Sequence, residues 1–115
     1  MWEIEFSSEF EAWWRELTDD QQEILDQRLH LLGNQGPGLG RPAVDTLTGS
    51  KVANMKELRA GTIRVLFVFD PRRVAILLLG GDKRGQWTRW YLEAIPAAER
   101  LYTRHLKEIE PQEGR

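Results

Sequence analysis

Apolar residues in this chain follow three spacings, and each predicts a different kind of element. Trp2-Glu3-Ile4-Glu5-Phe6 alternates with period two, which predicts a strand with one apolar face. Phe10, Trp13, Trp14 and Leu17 recur at i, i+3, i+4 and i+7 behind Ser8 and Glu11, whose spacing is that of a capping box. They predict a short amphipathic helix. Thr18 with Gln21 opens a second helix, with Asp19 and Asp20 in the first turn, where the helix dipole favours acids. Leu25, Leu29 and Leu32 form its stripe, Ile24 and Leu31 its margins, and Gly33 its expected end. The two helices are expected to form a hairpin over one face of a sheet.

The third spacing is the continuous run. Residues 62–69 and 74–79 are dominated by Val, Ile, Leu and Phe and bounded by turn residues, so they predict buried strands. Ala60-Gly61 suits a tight hairpin, and Asp70-Pro71-Arg72-Arg73 a second turn. Strands at about 52–59, 62–69 and 73–80 then pair as an antiparallel meander, because no gap between them holds the dozen residues of a parallel crossover. Residues 33–50, with Gly33, Gly36, Gly38, Gly40, Gly49, Pro37 and Pro42, are expected to be a flexible connector. They lack the Lys-Ser/Thr and strand-to-helix setting of a phosphate cradle. Beyond Leu79 comes a glycine-rich basic turn, Gly80-Gly81-Asp82-Lys83-Arg84-Gly85, and then Gln86-Trp87-Thr88-Arg89-Trp90-Tyr91, which reads equally as extended chain or as a first helical turn. Pro96 suits the first position of a last helix carrying Ala98, Leu101, Tyr102, His105 and Ile109 on one face, and a tail from Glu110 is expected to fray. The fold class is α+β: a small, mainly antiparallel sheet, built from an N-terminal strand and a three-strand meander, with an N-terminal helical hairpin and a C-terminal helix.

With 115 residues, the chain is expected to be one domain, and 41% hydrophobic with 30% charged residues places it among soluble globular proteins. The longest apolar run is far shorter than a membrane span, the acidic, alternating N-terminus is unlike a secretory signal, and a cytoplasmic protein with no membrane partner is expected. The absence of cysteine excludes disulfide frameworks and thiolate chemistry. The net charge of −2 conceals an asymmetry. Residues 1–34 hold nine acids against Arg15 and Arg28, whereas residues 51–90 hold nine bases against Glu57, Asp70 and Asp82. An acidic helical half thus accompanies a basic sheet half, which bears on polyanion binding.

Two histidines on separate helices, His30 and His105, make neither a nucleophilic triad nor a metal site, and both are read as structural. Cations are what the basic half offers: Lys56, Arg59, Arg64, Lys83, Arg84 and Arg89. Arg64 interrupts the apolar strand I-R-V-L-F-V-F, so it must be paired or face a cleft. Two readings stay open for it: a salt bridge to Glu57 across the hairpin, or a fixed guanidinium aimed at phosphate. Trp87, Trp90 and Tyr91 offer faces for base stacking or for packing of the last helix.

The segments M-K-E-L-R-A-G-T-I-R-V-L-F, D-P-R-R-V-A-I-L-L-L-G-G-D-K and W-Y-L-E-A-I-P-A-A-E-R-L-Y together resemble the phage Gp49-like, HigB-type branch of the RelE/ParE toxins. The resemblance implies the toxin of a type II toxin–antitoxin pair, a ribosome-dependent messenger RNA endoribonuclease that needs no metal or other cofactor. Its implied partners are a helix-turn-helix antitoxin, in a hetero-oligomer, and the ribosome with its messenger. It also implies catalytic roles for Lys56, Glu57, Arg64, Lys83, Arg84 and Tyr91, and RNA contacts for Arg59, Trp87, Arg89 and Trp90. Two alternatives share the fold: a ParE-like gyrase inhibitor that cuts nothing, and a phage-derived interaction domain with a decayed site.

Overall fold

The computed structural model describes residues 1–85 and 87–111, except for the side chain of Trp87. Its elements are β1 (Ile4–Phe6), α1 (Ser8–Arg15), α2 (Asp19–Gln35), a 3-10 turn (Gly36–Gly38), β2 (Val44–Thr46), β3 (Lys56–Ala60), β4 (Ile63–Phe69), β5 (Ala75–Asp82) and α3 (Trp87–Ile109). The sheet order is β1-β5-β4-β3-β2. The pairs β2–β3, β3–β4 and β4–β5 are antiparallel, and β1 joins β5 in parallel. The α+β class, the helical hairpin and the meander are as the apolar pattern predicts.

Strand alternation divides the core in two. Leu58, Ala60, Ile63, Val65, Phe67, Ala75 and Leu77 face Phe10 of α1 and Leu25 and Leu32 of α2. Leu66, Val68, Ile76 and Leu78 face Ala94, Ala98 and Tyr102 of α3. With both faces of β4 covered, that strand reads as a continuous apolar run. A bulge between Leu66 and Phe67 pairs Leu66 with Leu79 but Phe67 with Leu77, leaving Leu78 as the extra residue on β5. The bulge resets the alternation, so Gly80 meets the Trp13 ring of α1 and Gly81 meets the Trp90 ring of α3, from opposite sides of the sheet.

Several boundaries depart from the expected ones. Ser7, not Ser8, caps α1: its hydroxyl accepts the Phe10 N–H at 2.9 Å and donates to the Leu78 carbonyl at 2.7 Å. Thr18 and Gln21 form the expected capping box. Helix α2 passes through Gly33 and ends at Gly36, whose φ of 58° places it in the left-handed region that glycine tolerates. The expected connector contains β2, which has only three residues and so too little pattern to register as a strand. β3 begins at Lys56 rather than near residue 52, and the β3–β4 hairpin turns at Gly61-Thr62, with Gly61 at φ 64°.

Helix α3 resolves the reading left open for residues 87–91, while Gln86 lies outside the described residues. It starts at Trp87 and carries Pro96 in its interior, not at its first position. Proline costs an interior helical hydrogen bond. Packing of Trp90 and the buried Ala94 on the sheet offsets that cost. Lower on α3, His105 Nε2 lies 2.9 Å from Asp70 Oδ2, in the half-buried structural position expected of it. Asp70 also accepts the Arg72 and Val74 N–H groups, at 2.9 and 3.1 Å. Burial opposes ionisation of Asp70, but the His105, Val74 and Arg72 contacts outweigh it and hold the carboxyl below its usual range. His30 is exposed on α2, 3.5 Å from Asp26. Among the described residues no helix is long and apolar enough to cross a membrane. Residues 112–115 of the expected frayed tail lie outside the described residues.

Candidate functional site

The polar exception to the α3-side core lies at the end of the sheet beside the β3–β4 hairpin. Met55, Glu57 and Arg59 alternate onto that face, as do Arg64 and Leu66 of β4, and the register sets Arg59 opposite Arg64 and Glu57 opposite Leu66. Glu57 is only 2% exposed. Three groups surround its carboxylate. Arg59 Nε donates to Oε2 at 2.9 Å, Arg64 Nε lies 3.8 Å from Oε1, and the Tyr91 hydroxyl donates to Oε1. Burial of the phenol, reinforced by the Glu57 hydrogen bond, pushes the Tyr91 pKa up to about 12, so the phenol is protonated at neutral pH.

Arg64 meets the first of its two open readings in part, the ion pair with Glu57 across the hairpin. Its NH1 donates to the carbonyls of Gly61 and Ile63 at 2.6 and 2.9 Å, which clamps the hairpin turn. Among the described residues its buried Nε has no hydrogen-bond partner, and it leans towards Glu57. Arg59 makes the closer ion pair with Glu57 and is more accessible than Arg64, at 35% against 10% side-chain exposure. Its guanidinium also reaches Asp45 on β2, with NH2 3.3 Å from Oδ2. The Glu57 hydrogen bond is the main reason the Arg59 pKa is raised.

The tyrosine is placed by a glycine. On β5, Gly81 is the partner of Arg64, and the Trp90 indole lies directly on it. Trp90 in turn meets Tyr91 edge-on, with ring centroids 5.0 Å apart. A Cβ at Gly81 would fall 2.2 Å from Trp90 Nε1, which a rigid indole wedged against a sheet cannot accommodate in place. Gly81→Ala is therefore expected to destabilise the protein by roughly 1–3 kcal/mol, an overpacking cost. Gly40→Ala, where a Cβ meets nothing within 4 Å, is the control in the same denaturant titration. Equal midpoints for the two variants would contradict this account of Trp90.

The structure brings Glu57, Arg59, Arg64, Trp90 and Tyr91 together and places Lys56 and Arg89 elsewhere. Lys56 is adjacent to Glu57 in sequence and therefore on the opposite face, opposite Phe67, with Nζ 3.4 Å from the Thr46 hydroxyl. The pairing of Lys56 with Glu57 in one site is thus corrected by strand geometry. Lys83 and Arg84 follow the last residue of β5; the Lys83 N–H donates to the Thr62 carbonyl at 3.1 Å, and Arg84 pairs with Asp82 at 3.3 Å. Arg89 is exposed on α3 and lies 3.6 Å from Glu93. Trp87 opens α3, and the expectation about its stacking falls on a side chain outside the described residues. Asp45 is the charged neighbour that the sequence reading missed. Among the described residues no group of three or more His, Asp or Glu is placed to hold a metal ion.

Comparison with known proteins bears on the family and the fold. The profile of the phage-derived Gp49-like protein family matches residues 12–103. HigB2 of Mycobacterium tuberculosis, which carries a toxin name, is 44% identical over 104 residues, covering 86% of this chain and 52% of HigB2. The chain thus spans about half the length of that relative. HigB3 of the same organism, also named as a toxin, is 54% identical over 91 residues, covering 77% of this chain and 80% of HigB3. Among solved structures, the RelE–RelB complex of Pyrococcus horikoshii matches at a TM-score of 0.60 with 15% identity, covering 74% of this chain and 97% of the matched one. A free mutant RelE toxin of Escherichia coli matches at 0.54 with 16% identity, covering 94% and 97%. The two structural likenesses establish the fold.

Proposed function

Because the chain belongs to the family of phage-derived Gp49-like proteins, we propose that it is the toxin of a type II toxin–antitoxin pair and that it cleaves messenger RNA on the ribosome. The observation that carries the nuclease reading is the buried Glu57 carboxylate, held by Arg59 and the Tyr91 hydroxyl with Arg64 alongside. A carboxylate and a protonated phenol sharing one hydrogen bond form an acid–base couple. Flanking guanidiniums stabilise the negative charge that an RNA phosphate acquires as it is attacked.

In the proposed reaction the 2′-hydroxyl attacks the adjacent phosphorus and its proton passes to Glu57. The bond to the 5′ oxygen breaks, and that oxygen takes the Tyr91 proton. The proton on Glu57 then moves along the Glu57–Tyr91 hydrogen bond and restores both groups. The products are a 2′,3′-cyclic phosphate and a free 5′-hydroxyl, and protons balance without a metal. Arg59, the more accessible arginine, contacts the phosphate, while Arg64 stands behind Glu57 and Tyr91 and stabilises the transient phenolate. Lys56 has no part in this scheme, since it lies across the sheet.

The partner proposed for this toxin is a helix-turn-helix antitoxin. Induction of the chain alone in bacteria is expected to arrest growth and halt protein synthesis within minutes, with messenger fragments ending in cyclic phosphate, and co-expression of the antitoxin is expected to restore growth. Continued synthesis with altered DNA supercoiling would point instead to gyrase inhibition. Continued growth would point to a decayed site.

A further inference from the structure

Beside the Glu57 cluster, at the sheet edge, one carboxylate is gripped by two arginines from different parts of the chain. Asp45 lies on β2, the outermost strand, with Oδ1 3.2 Å from Arg41 Nε and Oδ2 3.3 Å from Arg59 NH2. Val44 is buried in the α1–α2 core, so alternation turns Asp45 to the same face as Glu57, its pairing partner on β3. Arg59 is held at its Nε by Glu57, and its plane is fixed. Arg41 is 77% exposed, which leaves its outer N–H groups in solvent.

We propose that Arg41, together with the Arg59 guanidinium, which bridges to the reacting phosphate, forms a second phosphate subsite for the RNA backbone one strand outward, and that the Asp45 carboxylate occupies it in the free protein. The proposal rests on the nuclease reading and extends it to Arg41, which stands in the glycine-rich connector outside every charged strand. Two guanidiniums on the two oxygens of one carboxylate reproduce the geometry that holds the two non-bridging oxygens of a phosphodiester. A solvent-screened ion pair such as Arg41–Asp45 adds little to folding, so stability gives little reason for a second arginine there. Adjacent strands lie about 4.8 Å apart, which puts the cradle within the step from one backbone phosphate to the next. The chemistry recognised is the phosphodiester itself, so this subsite reads no base.

The test compares Arg41→Ala, Asp45→Asn and the control Arg15→Ala, which removes the same charge from an exposed position on α1. Messenger cleavage is followed on programmed ribosomes at several salt concentrations, with thermal melts alongside. Arg41→Ala is expected to raise KM about five- to tenfold with kcat unchanged, and to reduce the salt slope of log KM by roughly 0.7, the amount for one phosphate contact on a single strand. Asp45→Asn keeps an oxygen for the arginines but removes the competing charge, and is expected to lower KM severalfold. A KM for Arg41→Ala equal to that of Arg15→Ala overturns the subsite and leaves the nuclease reading standing. A raised KM for Asp45→Asn overturns the assignment of Asp45 as the stand-in anion. Absence of cleavage by the unmodified protein overturns the nuclease reading and the subsite together.

Discussion

Glu57→Gln and Tyr91→Phe are each expected to slow messenger cleavage by about a hundred- to ten-thousandfold, the range over which a positioned acid or base contributes. The motivation is the direct hydrogen bond from the Tyr91 hydroxyl to a carboxylate that is 2% exposed and already engaged by Arg59. If the two act as one couple, the double variant should be no slower than the worse single variant, because groups that work as a unit do not contribute additively. Tyr91→Phe removes one hydrogen bond to a charged group, a cost of roughly 1.5–3 kcal/mol, so rates should be compared well below each variant's melting temperature. Antitoxin binding should survive both substitutions, which separates lost chemistry from lost fold. A Tyr91→Phe protein that cleaves at the unmodified rate would remove the tyrosine from the mechanism.

Arg64→Ala is expected to act on stability and rate at once. The guanidinium clamps the Gly61 and Ile63 carbonyls and stands 3.8 Å from the buried Glu57 carboxylate. Its removal takes a donor from both carbonyls and a neighbouring positive charge from the buried Glu57 carboxylate, which should cost about 3–5 kcal/mol, as for a broken buried ion pair. Cleavage measured on the folded fraction should also fall, on the order of a hundredfold, through loss of a positioned positive charge. Arg64→Lys should recover the rate only in part, because an ammonium cannot span the carbonyls and Glu57 as a planar fork does. Urea titration and single-turnover cleavage on ribosomes measure the two effects separately. Unchanged stability would sink the clamp, and an unchanged rate on the folded fraction would sink the catalytic role.

The sequence by itself determined what depends on local pattern. Period-two alternation at Trp2–Phe6, helical spacing from Phe10 and the Thr18–Gln21 cap were legible because neighbouring residues decide them. The β3–β4–β5 meander was legible because its links are too short for any other pairing. Arg64 stood out for a similar reason: a charge inside an apolar run has few physical explanations. Only the tertiary structure decided what depends on residues far apart in the chain. β2 is three residues long and exists by pairing with β3, so no local signal marked it or Asp45. The interior position of Pro96 in α3 follows from packing of Trp90 and Ala94 on the sheet, against local helix preference. The membership of the site rests on strand parity and on one bulge. Parity turns Lys56 away from its neighbour Glu57. The bulge sets Gly81 under Trp90, and α3 brings Tyr91, 34 positions away in the chain, onto the Glu57 carboxylate.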